Sequence, residues 1–115
     1  MILIADDNAD VRRMIRSLIK DDDTEIIEAA DGGEAIDAYA LHHPEWVLMD
    51  INMRPIDGLT AMRSILEKDP NARVIIVSQH QDSRTRDTAI AMGAHAFVGK
   101  SDLMQLHNFI AREAA

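Results

Sequence analysis

Four short apolar runs, each stopped by a polar residue, constrain the fold of this chain more than any other feature. Ile2-Leu3-Ile4-Ala5 ends at Asp6-Asp7, Trp46-Val47-Leu48-Met49 at Asp50, Val74-Ile75-Ile76-Val77 at Ser78, and Ala96-Phe97-Val98-Gly99 at Lys100. A continuous apolar run of this length reads as a strand buried on both faces, as in a parallel sheet. Glu25-Ile26-Ile27-Glu28-Ala29 makes a fifth strand, and its charged flanks suit a sheet edge. Helical patterns fill the intervals. Val11, Met14, Ile15, Leu18 and Ile19 recur at helical spacing behind Asn8, a good N-cap. Asp31 and Glu34 resemble a capping box ahead of Ile36, Tyr39 and Ala40, and Pro44 ends that helix. Leu59, Met62, Ile65 and Leu66 follow Gly58, and Leu103, Leu106, Phe109 and Ile110 follow Ser101, which can cap the last helix. The helix expected over residues 82–92 is the most polar, with Ala89, Ile90 and Met92 as its main apolar residues, and is the best candidate for a mobile element. The result is five βα units and one parallel sheet, an α/β fold in which each crossover contains a helix.

A length of 115 residues suits one domain, residues 1–115, with room for a real core. Cysteine is absent, which removes disulfides and thiolate metal sites and fits a reducing compartment. The chain shows neither a signal peptide nor a membrane-spanning run, so the cytoplasm is the expected location and no membrane contact is expected. A formal net charge of −8 disfavours direct contact with nucleic acid. His42, His43, His95 and His107 lack metal-ligand spacing, and the seven methionines read mostly as core fillers. Trp46 is expected to pack at the start of its strand.

Ligands of open α/β sheets bind beyond the carboxyl ends of the strands, so Asp6, Asp7, Asp50, Ser78 and Lys100 should meet on one rim. Three carboxylates there repel one another. At about 5 Å and an effective dielectric of about 20, each pair costs roughly 3 kcal/mol, so a cation must offset them. Oxygen ligands without supporting His or Cys favour Mg²⁺ (or Mn²⁺), and Mg²⁺ recruits phosphate. A carboxylate can act as a nucleophile and form an acyl phosphate, and Asp50 stands alone at the end of the most buried-looking strand. With Lys100 and Ser78 as phosphate donors, the set reads as a phosphoryl-transfer site built on positioning and charge.

Asp6-Asp7-Asn8, Asp50-Ile51-Asn52-Met53 with Asp57-Gly58 following, Ser78, Gly93-Ala94, and Phe97 three before Lys100 together resemble the receiver domain of two-component response regulators, over essentially the whole chain. The resemblance implies a doubly wound, flavodoxin-like sheet of order 2-1-3-4-5. It implies that Asp50 accepts a phosphoryl group from a phosphohistidine on a sensor histidine kinase or a histidine phosphotransfer protein. It further implies that Asp7 holds Mg²⁺ directly and Asp6 through water, with Asp50 and the Asn52 main-chain carbonyl completing the set. Ser78 and Lys100 would bind phosphoryl oxygens, and Phe97 would be the aromatic switch that biases the face of the fourth helix, fifth strand and fifth helix. Such a protein is a signalling switch rather than an enzyme, limited to self-phosphorylation from phosphodonors and autodephosphorylation.

The sequence departs from the family pattern at three places. Ser101 follows Lys100 where the family usually has proline, often cis; a non-proline cis bond costs about 3 kcal/mol, so a trans peptide is expected. Met53-Arg54-Pro55 replaces a Met-Pro step, with spacing to Asp57-Gly58 kept. Gln79 stands where Ala or Gly is typical and should alter phosphorylation or hydrolysis rates, and His80 occupies a position that tunes dephosphorylation in the family.

Two other classes compete. A haloacid-dehalogenase-like phosphatase needs an acid two residues after the nucleophile, where this chain has Asn52, and a nucleophile on its first strand. A phosphorylation-independent pseudo-receiver usually lacks an acidic-pair residue or the lysine, all of which are present here. The sequence is compatible with a stand-alone receiver, a homodimer, or the front of a longer regulator with an output domain, of which the luminescence-regulator type shows a weak likeness in Lys100-Ser101-Asp102.

Overall fold

Every apolar run is a strand: β1 (Ile2–Ala5), β2 (Ile26–Ala29), β3 (Trp46–Asp50), β4 (Val74–Ser78) and β5 (Ala96–Gly99). They form one parallel sheet of order β2-β1-β3-β4-β5. The structure, a computed structural model, describes residues 1–114, and side-chain surroundings through residue 110. The crossovers are α1 (Ala9–Ile19), α2 (Gly32–His42), α3 (Gly58–Lys68) and α4 (Ser83–Ala91), and α5 (Met104–Ala114) follows β5. The charged β2 is an edge, as its flanks indicated.

Side chains alternate across a strand, and here the alternation sorts the core into two layers. Leu3, Val47, Met49, Val74 and Ile76 face Tyr39 of α2, Met62 and Ile65 of α3, and Ala89 of α4. Ile2, Ile4, Leu48, Ile75, Val77 and Val98 face Ile15 and Ile19 of α1 and Leu106 of α5. The sheet is therefore buried on both sides, which is why its strands are continuous apolar runs rather than alternating ones.

Side-chain caps start the helices where the sequence places them. Asn8 Oδ1 accepts from the amides of Asp10 and Val11, Asp57 caps α3 through Thr60, and Asp82 caps α4 through Thr85. Asp31 caps α2 through Glu34, whose carboxylate turns back to the Ala30 amide. Gly58 opens α3 because only a residue without a side chain fits: a β-carbon there would collide with the Asp50 carbonyl. Gly93, at φ +112°, ends the α4 turn in a conformation other residues rarely adopt.

Some expectations are corrected. Ser101 does not cap the last helix: Lys100–Asp102 form a short 3₁₀ turn, and α5 begins at Met104. The reason is a distant partner, since the Ser101 hydroxyl is bonded to the Gln81 side chain. Met14 and Met104 are exposed rather than core residues, and Ala40 faces solvent while Ala35 takes the inward position. The Lys100–Ser101 peptide is trans; Arg54–Pro55 is the cis bond among the described residues. Trp46 is buried at the start of β3, beneath the Arg73 guanidinium and edge-on to His95. No helix among the described residues is long and apolar enough to cross a membrane.

Candidate functional site

Strand register builds the site. Ala5 pairs with Met49, so Asp6 and Asp50 stand side by side one step on, at the carboxyl ends of the two central strands. Lys100 comes from the end of β5. Counting by twos, Asp6 continues Ile2 and Ile4, Asp50 continues Trp46 and Leu48, and Lys100 continues Ala96 and Val98, so all three belong to the α1/α5 side of the sheet. Asp7 adds a third carboxylate from the β1–α1 loop, and one oxygen from each of Asp6, Asp7 and Asp50 lies within 4.8 Å of the others.

Charge is concentrated and largely dry there. Asp6 is 1% exposed and Asp50 4%, while Asp7 reaches solvent. Lys100 Nζ lies 3.0 Å from Asp6 Oδ2 and 3.3 Å from Asp50 Oδ1. Asp6 Oδ1 accepts from the Asn8 amide at 2.9 Å, and Asp6 Oδ2, buried, faces the Lys100 ammonium. Burial pushes the Asp50 carboxyl above the usual carboxylate range; the Asp6 charge adds to this, Lys100 opposes it, and Asp7 contributes further. Burial alone would favour the neutral amine of Lys100, yet Asp6 and Asp50 together hold its pKa above that of an ordinary lysine. Asp6 and Asp50 thus share one ammonium, with Asp7 beside them, around a cavity of about 230 Å³, which Asn8, Val11, Asn52 and Gln79 complete. Three carboxylate oxygens this close, two of the carboxylates buried and offset by one ammonium, fit a divalent cation held by oxygen ligands. Among the described residues no histidine joins such a cluster.

The remaining sequence candidates are distributed unevenly. Gln79 and Asn52 line the cavity. Ser78 ends β4 at the same rim, but it continues Val74 and Ile76 and so belongs to the α2/α3/α4 side. It is fully buried, does not line the cavity, and its Oγ accepts from the His80 amide at 3.0 Å. His80 is exposed. Phe97 also lies on the α2/α3/α4 side, half-buried, where with Ile90 and Phe109 it lines a groove of about 640 Å³ between α4 and α5.

One residue of the site was not visible from motif reading. Arg12 on α1 donates from Nη1 to the Asp6 main-chain carbonyl at 2.6 Å and from Nε to Glu28 at 2.9 Å, and Arg16 donates to the other Glu28 oxygen at 2.8 Å. The guanidinium ties the β1–α1 loop to β2. The available signal was the spacing: two arginines four apart on one helix, and a lone acid in an edge strand at the same end of the sheet.

The sequence profile of the response regulator receiver domain matches residues 2–111. This chain belongs to that family. The receiver is 40% identical over 100 residues to the chemotaxis protein CheY of Listeria monocytogenes, covering 86% of this chain and 84% of that protein. Its fold matches a chain of the CheX–CheY–BeF3–Mg complex of Borrelia burgdorferi with a TM-score of 0.89 and 30% identity, covering 99% of this chain and 88% of that one. A LuxR-family response regulator from Aurantimonas sp. matches with a TM-score of 0.87 and 34% identity, over 97% of this chain and 82% of that one. The receiver is accordingly a module of two-component signalling.

Proposed function

We propose that this receiver accepts a phosphoryl group on Asp50 from a phosphohistidine donor and reports it through the face formed by α4, β5 and α5. The observation that carries the reading is the buried Asp50 carboxyl beside Asp6, Asp7 and the Lys100 ammonium. An Asp50 oxygen attacks the phosphorus, the P–N bond to the donor imidazole breaks, and the imidazole leaves with its electron pair and is reprotonated from solvent. Asp7 directly, Asp6 through water, Asp50 and the Asn52 carbonyl would hold Mg²⁺ or Mn²⁺. The cation would supply neutralisation of the carboxylates and of the incoming phosphoryl oxygens.

Lys100 then exchanges its Asp50 contact for a phosphoryl oxygen. Ser78 gives up the His80 amide and turns its hydroxyl toward another, which requires the β4–α4 loop to move, because Ser78 starts on the far side of the pleat. Phe97 shares that side and follows, so the groove beside Ile90 and Phe109 changes shape for a partner: an output domain, a second copy, or a separate effector. Gln79, at the cavity mouth, slows the approach of donor or water, and water attack on the acyl phosphate resets the switch. The donor is a sensor histidine kinase or a histidine phosphotransfer protein, met in the cytoplasm; the domain itself does not bind nucleic acid.

Intact mass spectrometry after incubation with acetyl phosphate and Mg²⁺ tests this. The expected result is gain of one phosphoryl group in the wild type and none in Asp50→Asn or without divalent cation. No gain in the wild type would favour a phosphorylation-independent module instead. Gln79→Ala should phosphorylate or hydrolyse faster, and unchanged kinetics would remove Gln79 from the reading.

A further inference from the structure

The loop that must move to recruit Ser78 is fastened at its centre. Gln81 Nε2 donates to Ser101 Oγ at 2.9 Å, and the Ser101 hydroxyl lies 3.3 Å from Gln81 Oε1, so one carboxamide brackets one hydroxyl twenty residues away. The same carboxamide covers Gly99, where a β-carbon would collide with it. Gln81 therefore touches the residues on both sides of Lys100, whose ammonium bonds Asp6 and Asp50. Three residues before Gln81, the Ser78 hydroxyl is engaged by the His80 amide on the opposite side of the sheet from Asp50. Gln81, Gly99, Phe97 and Arg86 also share the wall of a cavity of about 200 Å³, so displacement of Gln81 opens space on the Phe97 flank.

We propose that Gln81 is a positioning residue: clasped to Ser101, it holds the β4–α4 loop, and through it the Ser78 hydroxyl, in the unphosphorylated arrangement, so that phosphorylation must open the Gln81–Ser101 clasp. The proposal rests on the phosphoryl-acceptor reading of Asp50. A ligand that needs Ser78 binds only the open form, and the clasp lowers its apparent affinity by the fraction of protein that is closed. One neutral hydrogen bond at an exposed position biases such an equilibrium by about threefold to tenfold.

Two measurements on the full chain test it together. Titration with beryllofluoride at saturating Mg²⁺ should show affinity raised about threefold to tenfold in Ser101→Ala and in Gln81→Ala, and no further in the double variant, because both remove one contact. Ser101→Thr, which keeps the hydroxyl, should restore wild-type affinity, and Mg²⁺ affinity without beryllofluoride should stay unchanged in all variants. General loosening would instead alter Mg²⁺ binding and escape rescue by threonine. Amide exchange of residues 79–82 in the ligand-free protein should accelerate about threefold to tenfold in Ser101→Ala. Unchanged exchange would overturn the clasp whatever the phosphoryl chemistry. Faster exchange with unchanged or weaker beryllofluoride binding would overturn its role in switching. A wild type that fails to bind beryllofluoride at all would overturn the acceptor reading and, with it, this proposal, and the exchange result would then describe only a loop anchor.

Discussion

α3 and α4 both follow strands that end at the site, and they are built in opposite ways. α3 buries Gly58, Ala61, Met62 and Ile65, and starts in contact with the Asp50 backbone, so it cannot shift without disturbing the acceptor strand. α4 buries only Ala89 and leaves Ile90 45% exposed. Burial of apolar area is the main force holding a helix to a sheet, so the first flank is a frame and the second is the element free to respond. The Asp50 backbone rests against the frame, whereas Ser78 and the Gln81 clasp sit at the entrance to the responsive flank. On the proposed function, phosphorylation of Asp50 would reach the α4 surface without disturbing the core.

The sharpest way to break this contrast is to truncate one residue on each helix. Met62→Ala should destabilise the domain by about 2–5 kcal/mol through the cavity it leaves, whereas Ile90→Ala should stay within about 0.5 kcal/mol; urea denaturation reads both. Equal losses would end the distinction. Arg12→Ala comes next in size, at about 1–3 kcal/mol, since it removes charge-assisted bonds to the Asp6 carbonyl and to Glu28. It should also weaken Mg²⁺ binding in a calorimetric titration, and unchanged affinity would show that the β1–α1 loop keeps its place without that guanidinium.

A smaller loss than that of Met62 or Arg12 belongs to the tie between α2 and α3. The Tyr39 hydroxyl donates to Asp69 Oδ2 at 2.5 Å. Burial first, then Asp69, push the Tyr39 phenol up to about 12, and the tyrosine holds the Asp69 carboxyl below its usual range. Tyr39→Phe should cost about 1 kcal/mol near neutral pH. A raised phenol pKa contributes stability that is complete below its unfolded value near 10 and is lost as pH rises through about 12. A lowered carboxyl pKa contributes stability above the unfolded value that is lost as pH falls through the folded one. The difference between wild type and variant should therefore shrink at both extremes, and a difference independent of pH would assign the loss to packing alone.

Strand positions were legible because a sheet covered on both faces leaves continuous apolar runs, and the acidic rim was legible because its residues terminate those runs. The division of the rim was missed although it follows from the same alternation: Ser78 falls in step with Ile76, and Asp50 with Leu48. Ser101 has the look of a cap in the sequence because a hydroxyl before a helix is usually local in its bonding, whereas its partner Gln81 lies in another loop. The role of Arg12 at the site is hidden in the sequence because its target there is a main-chain carbonyl, and the Arg12–Arg16 spacing points only to Glu28.

The most direct test of a rigid frame beside a responsive flank is backbone amide NMR with and without beryllofluoride and Mg²⁺. The expected result is large shift changes at residues 79–82, through α4 and at Phe97, with α2 and α3 beyond Gly58 nearly unmoved. Comparable changes in α3 and α4, or changes confined to the carboxylate cavity, would contradict it.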